Sequence, residues 1–354
     1  MKAAVYYGVR DVRVEEVETP RAGAGEAVIR VLRCAVCGTD KRVYLHGQKN
    51  VVPPAIVGHE IAGLIHELGE GVDGPPVGTK VVVATPVGCG RCICCRREQY
   101  NLCENFQALG YDYAGGFAEY MKVPARAVVQ GNIIPVPEGL DPDHAALIEP
   151  LSCVLNGQEY LAAQPGDRAL VFGAGPIGLM HAGVLKAKGC EPVLVADISA
   201  ERLEYVAELG VGTPVHTADD DPTELILDAA GGSGRAESGG ERFDVIVTAC
   251  SVKAVQGHAL RLARKKARLS FFAGIPKDDP VLPIDTNHLH YNEISVFGAF
   301  ASNLRHYHQA AEMVARGELP ADRFVTHRFK LDEMVQAYET IEAGRGIKIV
   351  IDCA

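Results

Sequence analysis

Five of the chain's eleven cysteines fall within fifteen residues, in the stretch VGCGRCICCRREQYNLC. Cys89, Cys92, Cys95 and Cys103 give the spacing C-x2-C-x2-C-x7-C. Four thiolates so spaced close a tetrahedron around one zinc ion and leave no position open, which is the arrangement of a structural site. Cys94 is the spare, because including it breaks the x2 spacing. A second set is dispersed: Cys37 in CAVCGTD, His59 and Glu60 in VGHE, and Glu149 in ALIEPLS. Thiolate, imidazole and carboxylate are the donors of a catalytic zinc site that keeps one position for water or substrate. Alone, each of these residues reads more readily as core or surface than as a ligand, and the sequence leaves open which carboxylate binds the metal directly. The third set, Gly173-Ala174-Gly175-Pro176-Ile177-Gly178, is a G-x-G-x-x-G between an apolar strand and a helix, and Asp197 ends the next strand 19 residues after Gly178. That context predicts a dinucleotide site. Gly173 makes the tight turn, Gly175 lets the backbone approach the pyrophosphate, Gly178 packs the helix closely, and Asp197 accepts the adenosine ribose hydroxyls. A carboxylate at that point repels a ribose phosphate, so NAD is expected over NADP.

The elements that must carry these groups divide by texture. Up to about Leu151, short apolar runs (AAVYY, EAVIRVL, KVVVAT, AEYMKV) are broken by Gly and Pro clusters, which predicts a strand-rich domain. From RALVFG onward, apolar strand and helical patterns alternate (IGLMHAGVLKAKG, PVLVAD, SAERLEYVAELG), which predicts a doubly wound parallel sheet. Further strands are expected at FDVIVTAC, ARLSFFAG and ISVFGAF, and a flexible surface loop between Gly231 and Arg242. Two helical patterns and the strand IKIVIDCA close the sequence.

Composition limits the partners. The 354 residues suit two domains. Asp plus Glu outnumber Lys plus Arg 45 to 35, and a net charge of −10 repels nucleic acid and anionic membranes. No apolar run approaches the roughly 20 residues of a membrane helix. The start MKAAVYYGVRDVRVEEVE has no signal-like apolar block, so a cytoplasmic location is expected. An odd number of cysteines there favours metal chemistry over a disulfide framework.

CGTD, GHEIAGLIHELGEGV, the four-cysteine loop, IEPLS and GAGPIGL with Asp197, in this order and at these distances, give the whole chain a specific resemblance to the medium-chain, zinc-dependent alcohol dehydrogenases. The branch it resembles is that of the polyol (sorbitol), threonine and sugar dehydrogenases. The resemblance implies an α/β protein: a GroES-like catalytic domain at 1–152, a central Rossmann domain at 153–298, and a segment at 299–354 that returns to the catalytic domain, with the active site in a cleft between the two. It implies two zinc ions per subunit, NAD, a small alcohol or sugar substrate, and a homo-oligomer, a tetramer rather than a dimer. Carried over by position, Cys37, His59, Glu60 and Glu149 match the catalytic metal set. Thr39 matches the hydroxyl that takes the alcohol proton, Asp40 the carboxylate that orients the histidine, and Lys348 a basic residue near the cofactor pyrophosphate.

Two departures stand out. Arg42 occupies the position of a proton-relaying histidine, which puts the proton exit in question. Val43 and Ala301 replace the tyrosine and arginine of sorbitol enzymes, which removes support for sorbitol itself. The expected reaction is reversible oxidation of a secondary alcohol with NAD+. The same machinery would serve a reductase of an aldehyde or sugar phosphate, whereas a non-catalytic NAD-binding sensor would have lost the zinc ligands or Thr39 that this chain keeps. Lys41, Arg42, His46 and Lys49 form a basic stretch that would favour an anionic substrate, unless it is a solvated loop or Arg42 reaches the cofactor phosphates.

Overall fold

The computed structural model describes residues 1–218, 221–231 and 242–354. The loop expected between Gly231 and Arg242 falls at 232–241, outside the described residues. Two compact units result: Met1–Cys153 with Ala301–Ala354, and Val154–Phe300.

The first unit is built on a seven-stranded sheet. Its order is Ile133–Pro135, Lys80–Val83, Glu60–Leu68, Ala27–Val36, Lys348–Asp352 and Val325–Lys330, with Tyr120–Val123 also paired to Ala27–Val36. The strand AVIRVLRCAV is long and largely buried, and irregularities after Val28 and Val31 shift its register against Glu60–Leu68. The closing strand IKIVID pairs antiparallel with it, Ile351 opposite Cys34 and Ile349 opposite Val36. The chain's last strand therefore joins a sheet whose first strand is Ala27–Val36. Asp143, buried, ties this arrangement together. It accepts from Arg33 Nε at 2.6 Å and from Arg328 Nε, while Arg33 Nη1 reaches Asp352 Oδ1 at 2.6 Å. Two helices interrupt the strand-rich texture where site residues sit: Gly38–His46 and Ile148–Gln158.

The second unit holds six parallel strands in the order Thr213–His216, Val193–Asp197, Ala169–Phe172, Phe243–Thr248, Ala263–Phe271 and Ser295–Gly298. Numbered along the chain this is 3-2-1-4-5-6, the doubly wound order. Every residue of ALVF in Ala169–Phe172 is buried, as expected of a parallel strand covered on both faces. The order reverses beside this strand, and its carboxyl end runs straight into Gly173.

His181, on the helix Pro176–Ala187, is fully buried against Phe272, with Nδ1 3.2 Å from Gln158 Nε2. Burial, helped by Lys188, pushes its pKa down to about 3. The unfolded chain, with an ordinary value near 6.5, then binds the extra proton below that pH while the folded chain does not. Stability is full above about pH 6.5 and falls as pH drops toward 3. Between pH 7 and 5.5 this single group should cost about 1 kcal/mol. Urea unfolding at the two pH values should show that loss in the native chain, and a smaller loss by this amount in His181→Gln.

Candidate metal centres and dinucleotide loop

The four-cysteine loop folds as the spacing predicts. Its sulfurs lie within 4.8 Å of one another. Cys92 Sγ is 3.5 Å from Cys95 Sγ and 3.8 Å from Cys103 Sγ. These separations are far longer than a disulfide, and a tetrahedron with Zn–S bonds near 2.3 Å has edges of about 3.8 Å. Backbone N–H groups point at the sulfurs: Cys89 and Asn105 donate to Cys103 Sγ, and Cys92 donates to Cys89 Sγ. Such donors favour the thiolate, and those of Arg91 and Cys92 bring Cys89 down to about 6. Cys94 lies outside the set, its thiol pushed up by burial. Gly88 permits the closure, because a Cβ there would sit 2.6 Å from Cys95 Sγ.

The dispersed set also converges. Donor atoms of Cys37, His59 and Glu60 lie within 4.8 Å of one another. Strand register brings them to one end of the sheet: Glu60 lies opposite Ala35, and Val36, which precedes Cys37, lies opposite Ile349, which follows Lys348. Gly58 aims His59. It holds φ +96°, and a Cβ would fall 2.8 Å from the Phe117 ring. Asp40 then braces both first ligand candidates. Its Oδ2 accepts the Cys37 N–H at 2.8 Å, and its Oδ1 lies 3.3 Å from His59 Nδ1. Nε2 of His59 is left to face the cluster, with the Tyr111 hydroxyl 3.3 Å away. Asp40 Oδ1, His59 Nδ1 and Glu60 Oε2 are buried without a well-aligned hydrogen bond. Burial opposes a charge on His59, yet Tyr111, Asp40 and Cys37 outweigh it and raise its pKa well above the ordinary value. A field that stabilises positive charge at this depth fits a metal cation.

Two site residues stand differently from the rest. Lys348, whose expected role was near the cofactor pyrophosphate, is buried and bonds Glu60 Oε1 at 2.6 Å. It is thus not a solvated surface lysine: its ammonium answers the carboxylate in the cluster. Glu149 lies outside the 4.8 Å group, with Oε1 3.3 Å from Thr85 Oγ1. Desolvation pushes its pKa up to about 7. Thr39 is half-buried in the first turn of Gly38–His46. On the same helix Arg42 is exposed and bonded to Gln48, while Lys41 and His46 lie near enough to Glu342 to lower its pKa, after the larger effect of Arg10. Part of that basic stretch is thus answered by the protein's own carboxylate. Thr85, Tyr111 and Tyr307 were missed by the sequence reading, since no local pattern marks them.

In the second unit the three glycines divide their labour. Gly173 has φ +104°, and a Cβ on Gly178 would lie 1.7 Å from Gly173 O. A Cβ on Gly175 would meet nothing within 4 Å, which is the open approach a pyrophosphate needs. Pro176 and Ile177 begin a 12-residue helix whose N-cap, Gly175, offers no side-chain cap, so its first N–H groups remain available to an anion. Asp197 is held at the lip of the loop by the N–H groups of Ala174 (2.6 Å) and Ser199 (2.9 Å), one on each oxygen.

Residues 23–137 match the alcohol dehydrogenase GroES-like domain, and residues 176–316 match the zinc-binding dehydrogenase family. L-threonine 3-dehydrogenase of Pyrococcus horikoshii is 33% identical over 99% of this chain and 97% of its own length. The chain belongs to the zinc-dependent medium-chain alcohol dehydrogenase family. L-galactonate-5-dehydrogenase of Escherichia coli K12 is 32% identical over 91% of this chain and 89% of its own. An alcohol dehydrogenase of Escherichia coli CFT073, solved with NADH, superposes with a TM-score of 0.88 at 27% identity, covering 99% of both chains. Membership makes this an oxidoreductase of secondary alcohols that uses zinc and a nicotinamide dinucleotide, on a GroES-like plus Rossmann architecture. Among the described residues no helix is long and apolar enough to cross a membrane.

The glycine geometry separates binding from folding. Gly175→Val should keep the native melting temperature and lose NADH binding, read by fluorescence titration. Gly178→Ala should fail to fold stably, since its Cβ meets backbone. Wild-type NADH affinity in Gly175→Val would contradict the assignment of the loop.

Proposed function

We propose that the chain reversibly oxidises a secondary alcohol whose neighbouring carbon bears a second polar group, such as a polyol, a sugar acid or a hydroxy amino acid, with NAD+ as acceptor. The observation that carries this reading is the convergence of Cys37, His59 and Glu60, separate from the complete four-cysteine set. The names of the two relatives support the substrate class: carbon 3 of threonine and carbon 5 of galactonate are secondary carbinols beside a carbon bearing nitrogen or oxygen. Substrate chemistry belongs to segments 1–152 and 299–354, and the dinucleotide to 153–298.

In this reading Cys37, His59 and a carboxylate, Glu60 or Glu149, hold the catalytic zinc, and Cys89, Cys92, Cys95 and Cys103 hold the structural one. When bound, zinc supplies the Lewis acidity that makes the alcohol proton labile, and NAD+ takes the hydride. Asp40 fixes the His59 ring so that Nε2 faces the ion, a role carboxylates often have behind a ligating histidine. Lys348 neutralises Glu60 and so limits how strongly that carboxylate competes for the ion. Thr39 accepts the alcohol proton as it passes its own on, and the route to solvent does not run through Arg42, which is engaged by Gln48. Gly173, Gly175, Pro176, Ile177 and Gly178 seat the pyrophosphate, and Asp197 takes the ribose hydroxyls. A cytoplasmic homo-oligomer, a tetramer over a dimer, is part of the same proposal. The strand Ser295–Gly298 ends the six-stranded sheet with one edge unpaired among the described residues, and exposed Val281 and Tyr291 belong to the segment leading into it.

Metal analysis of the purified protein should find two zinc ions per subunit. His59→Ala should lose one of them and all turnover on a panel of polyols, aldonates and hydroxy amino acids, while NADH still binds. One zinc in the native protein, or turnover by His59→Ala, would overturn the reading. Cofactor choice is tested separately. NAD+ should show the higher kcat/KM, and Asp197→Ala should narrow the gap by about 1–3 kcal/mol, the value of a hydrogen bond to a charged group. Equal use of NAD+ and NADP+ by the native enzyme would refute the role of Asp197.

A further inference from the structure

A chain of hydrogen bonds outside the Cys37–His59–Glu60 cluster ends on Glu149. The Thr85 N–H donates to the Tyr307 oxygen at 3.0 Å, the Thr85 and Tyr307 hydroxyls are 2.6 Å apart, and Thr85 Oγ1 lies 3.3 Å from Glu149 Oε1. Each hydroxyl has one proton to give. With Glu149 ionised, as a carboxylate serving a metal would be, the Thr85 proton goes to Glu149 Oε1. The Tyr307 proton must then go to Thr85 Oγ1, while the Tyr307 oxygen accepts from the Thr85 amide. No donor in this run is wasted. Cys153, one helical turn after Glu149, brings its thiol to 3.7 Å from the same oxygen. Tyr307 is fully buried and Thr85 is 8% exposed, so water does not compete for these bonds.

The arrangement has a consequence for the carboxylate. Both donors fall on Oε1, and Oε2 takes no donor from Thr85 or Cys153. Tyr307 comes from the helix Leu304–Ala315, more than 200 residues after Thr85, so the C-terminal segment reaches back to constrain Glu149. We propose that Thr85 and Tyr307 are positioning residues that hold Glu149 by Oε1 so that its other oxygen serves the catalytic metal. The proposal rests on the reading of Cys37, His59 and Glu60 as that metal's site. A merely structural role would be to satisfy buried polar groups and pin the helix Leu304–Ala315 to the turn after Lys80–Val83. That role would change melting temperature and leave the metal untouched.

Metal retention separates the two. Native enzyme, Thr85→Val, Thr85→Ser and Tyr307→Phe are challenged with dipicolinate, and zinc release is followed with a chromogenic indicator. Partners behind metal ligands are typically worth 10–100-fold in metal affinity. Thr85→Val should therefore release one of its two ions at least about 10-fold faster than the native enzyme and the other at the native rate, with a shifted visible band in the cobalt-substituted form. Thr85→Ser, which keeps the hydroxyl, should restore native release. Native release rates and an unshifted cobalt band in Thr85→Val, even with a lower melting temperature, would overturn the proposal. If Thr85→Val does not fold, Tyr307→Phe decides the matter: faster release supports the proposal and native release overturns it. Native enzyme that takes up only the four-cysteine ion would sink the underlying reading and this proposal with it, a result distinct from native-like behaviour of the variants.

Discussion

Buried charge at the end of one sheet is the constraint on which the first unit depends. Asp40 and Glu60 are 1% and 0% exposed, His59 is 5% exposed and Lys348 4%. An ionised carboxylate removed from water costs several kcal/mol unless it is paired or bound to a metal. Lys348 answers Glu60, and the His59 ring lies against Asp40 beside the Cys37 sulfur. In the proposed reading, a divalent ion held by Cys37, His59 and a carboxylate would pair with the carboxylates gathered at this end of the sheet.

Keeping such groups together demands precise backbone. The register of three strands places Glu60, Cys37 and Lys348, although they lie far apart in sequence. Close backbone contacts then remove the slack. Gly58 takes a left-handed conformation beside Phe117, and a Cβ on Gly110 would meet Gly58 O at 2.6 Å, so the turns bearing His59 and Tyr111 are locked face to face. The Asp143 bridge to Arg33 and Arg328 holds the same strands from the side. A slip of one residue between Ala27–Val36 and Lys348–Asp352 would turn Lys348 to the other face of the sheet and leave Glu60 unanswered.

What was legible in the sequence follows from how local each determinant is. The four cysteines and the three glycines with Asp197 were readable because one loop, or one strand–turn–helix, contains all the geometry. Cys37, His59, Glu60, Thr39 and Asp40 were readable only as a constellation matched to a known family, since no spacing rule connects position 37 with position 59. Thr85, Tyr111 and Tyr307 gave no signal at all. Their roles come from pairings over long separations, such as Thr85 with Tyr307, which only the assembled sheet and the returning C-terminal segment create. The bond of Lys348 to Glu60 is of the same kind: the two residues sit on strands separated by Ala27–Val36, and only the assembled sheet brings them together.

The two cysteine-bearing sites are stabilised in different ways, and their roles differ accordingly. The four-cysteine loop is self-contained: its ligands and most of the N–H groups that stabilise them lie within about one hairpin's length of chain, so it survives local opening elsewhere. The Cys37 site draws on the helix Gly38–His46, three strands, the turn bearing Tyr111 and the helix Ile148–Gln158, with Lys348 arriving from the last strand of all. Opening any one of those elements removes a ligand or exposes a compensated charge. A site assembled from so many elements is costly to hold. In the proposed reading it would also leave one side of the metal ion open to an incoming alcohol, because the enclosing groups come from separate walls. On that reading openness to substrate and dependence on distant register go together, and the four-cysteine loop, whose sulfurs all come from one short segment, needs neither.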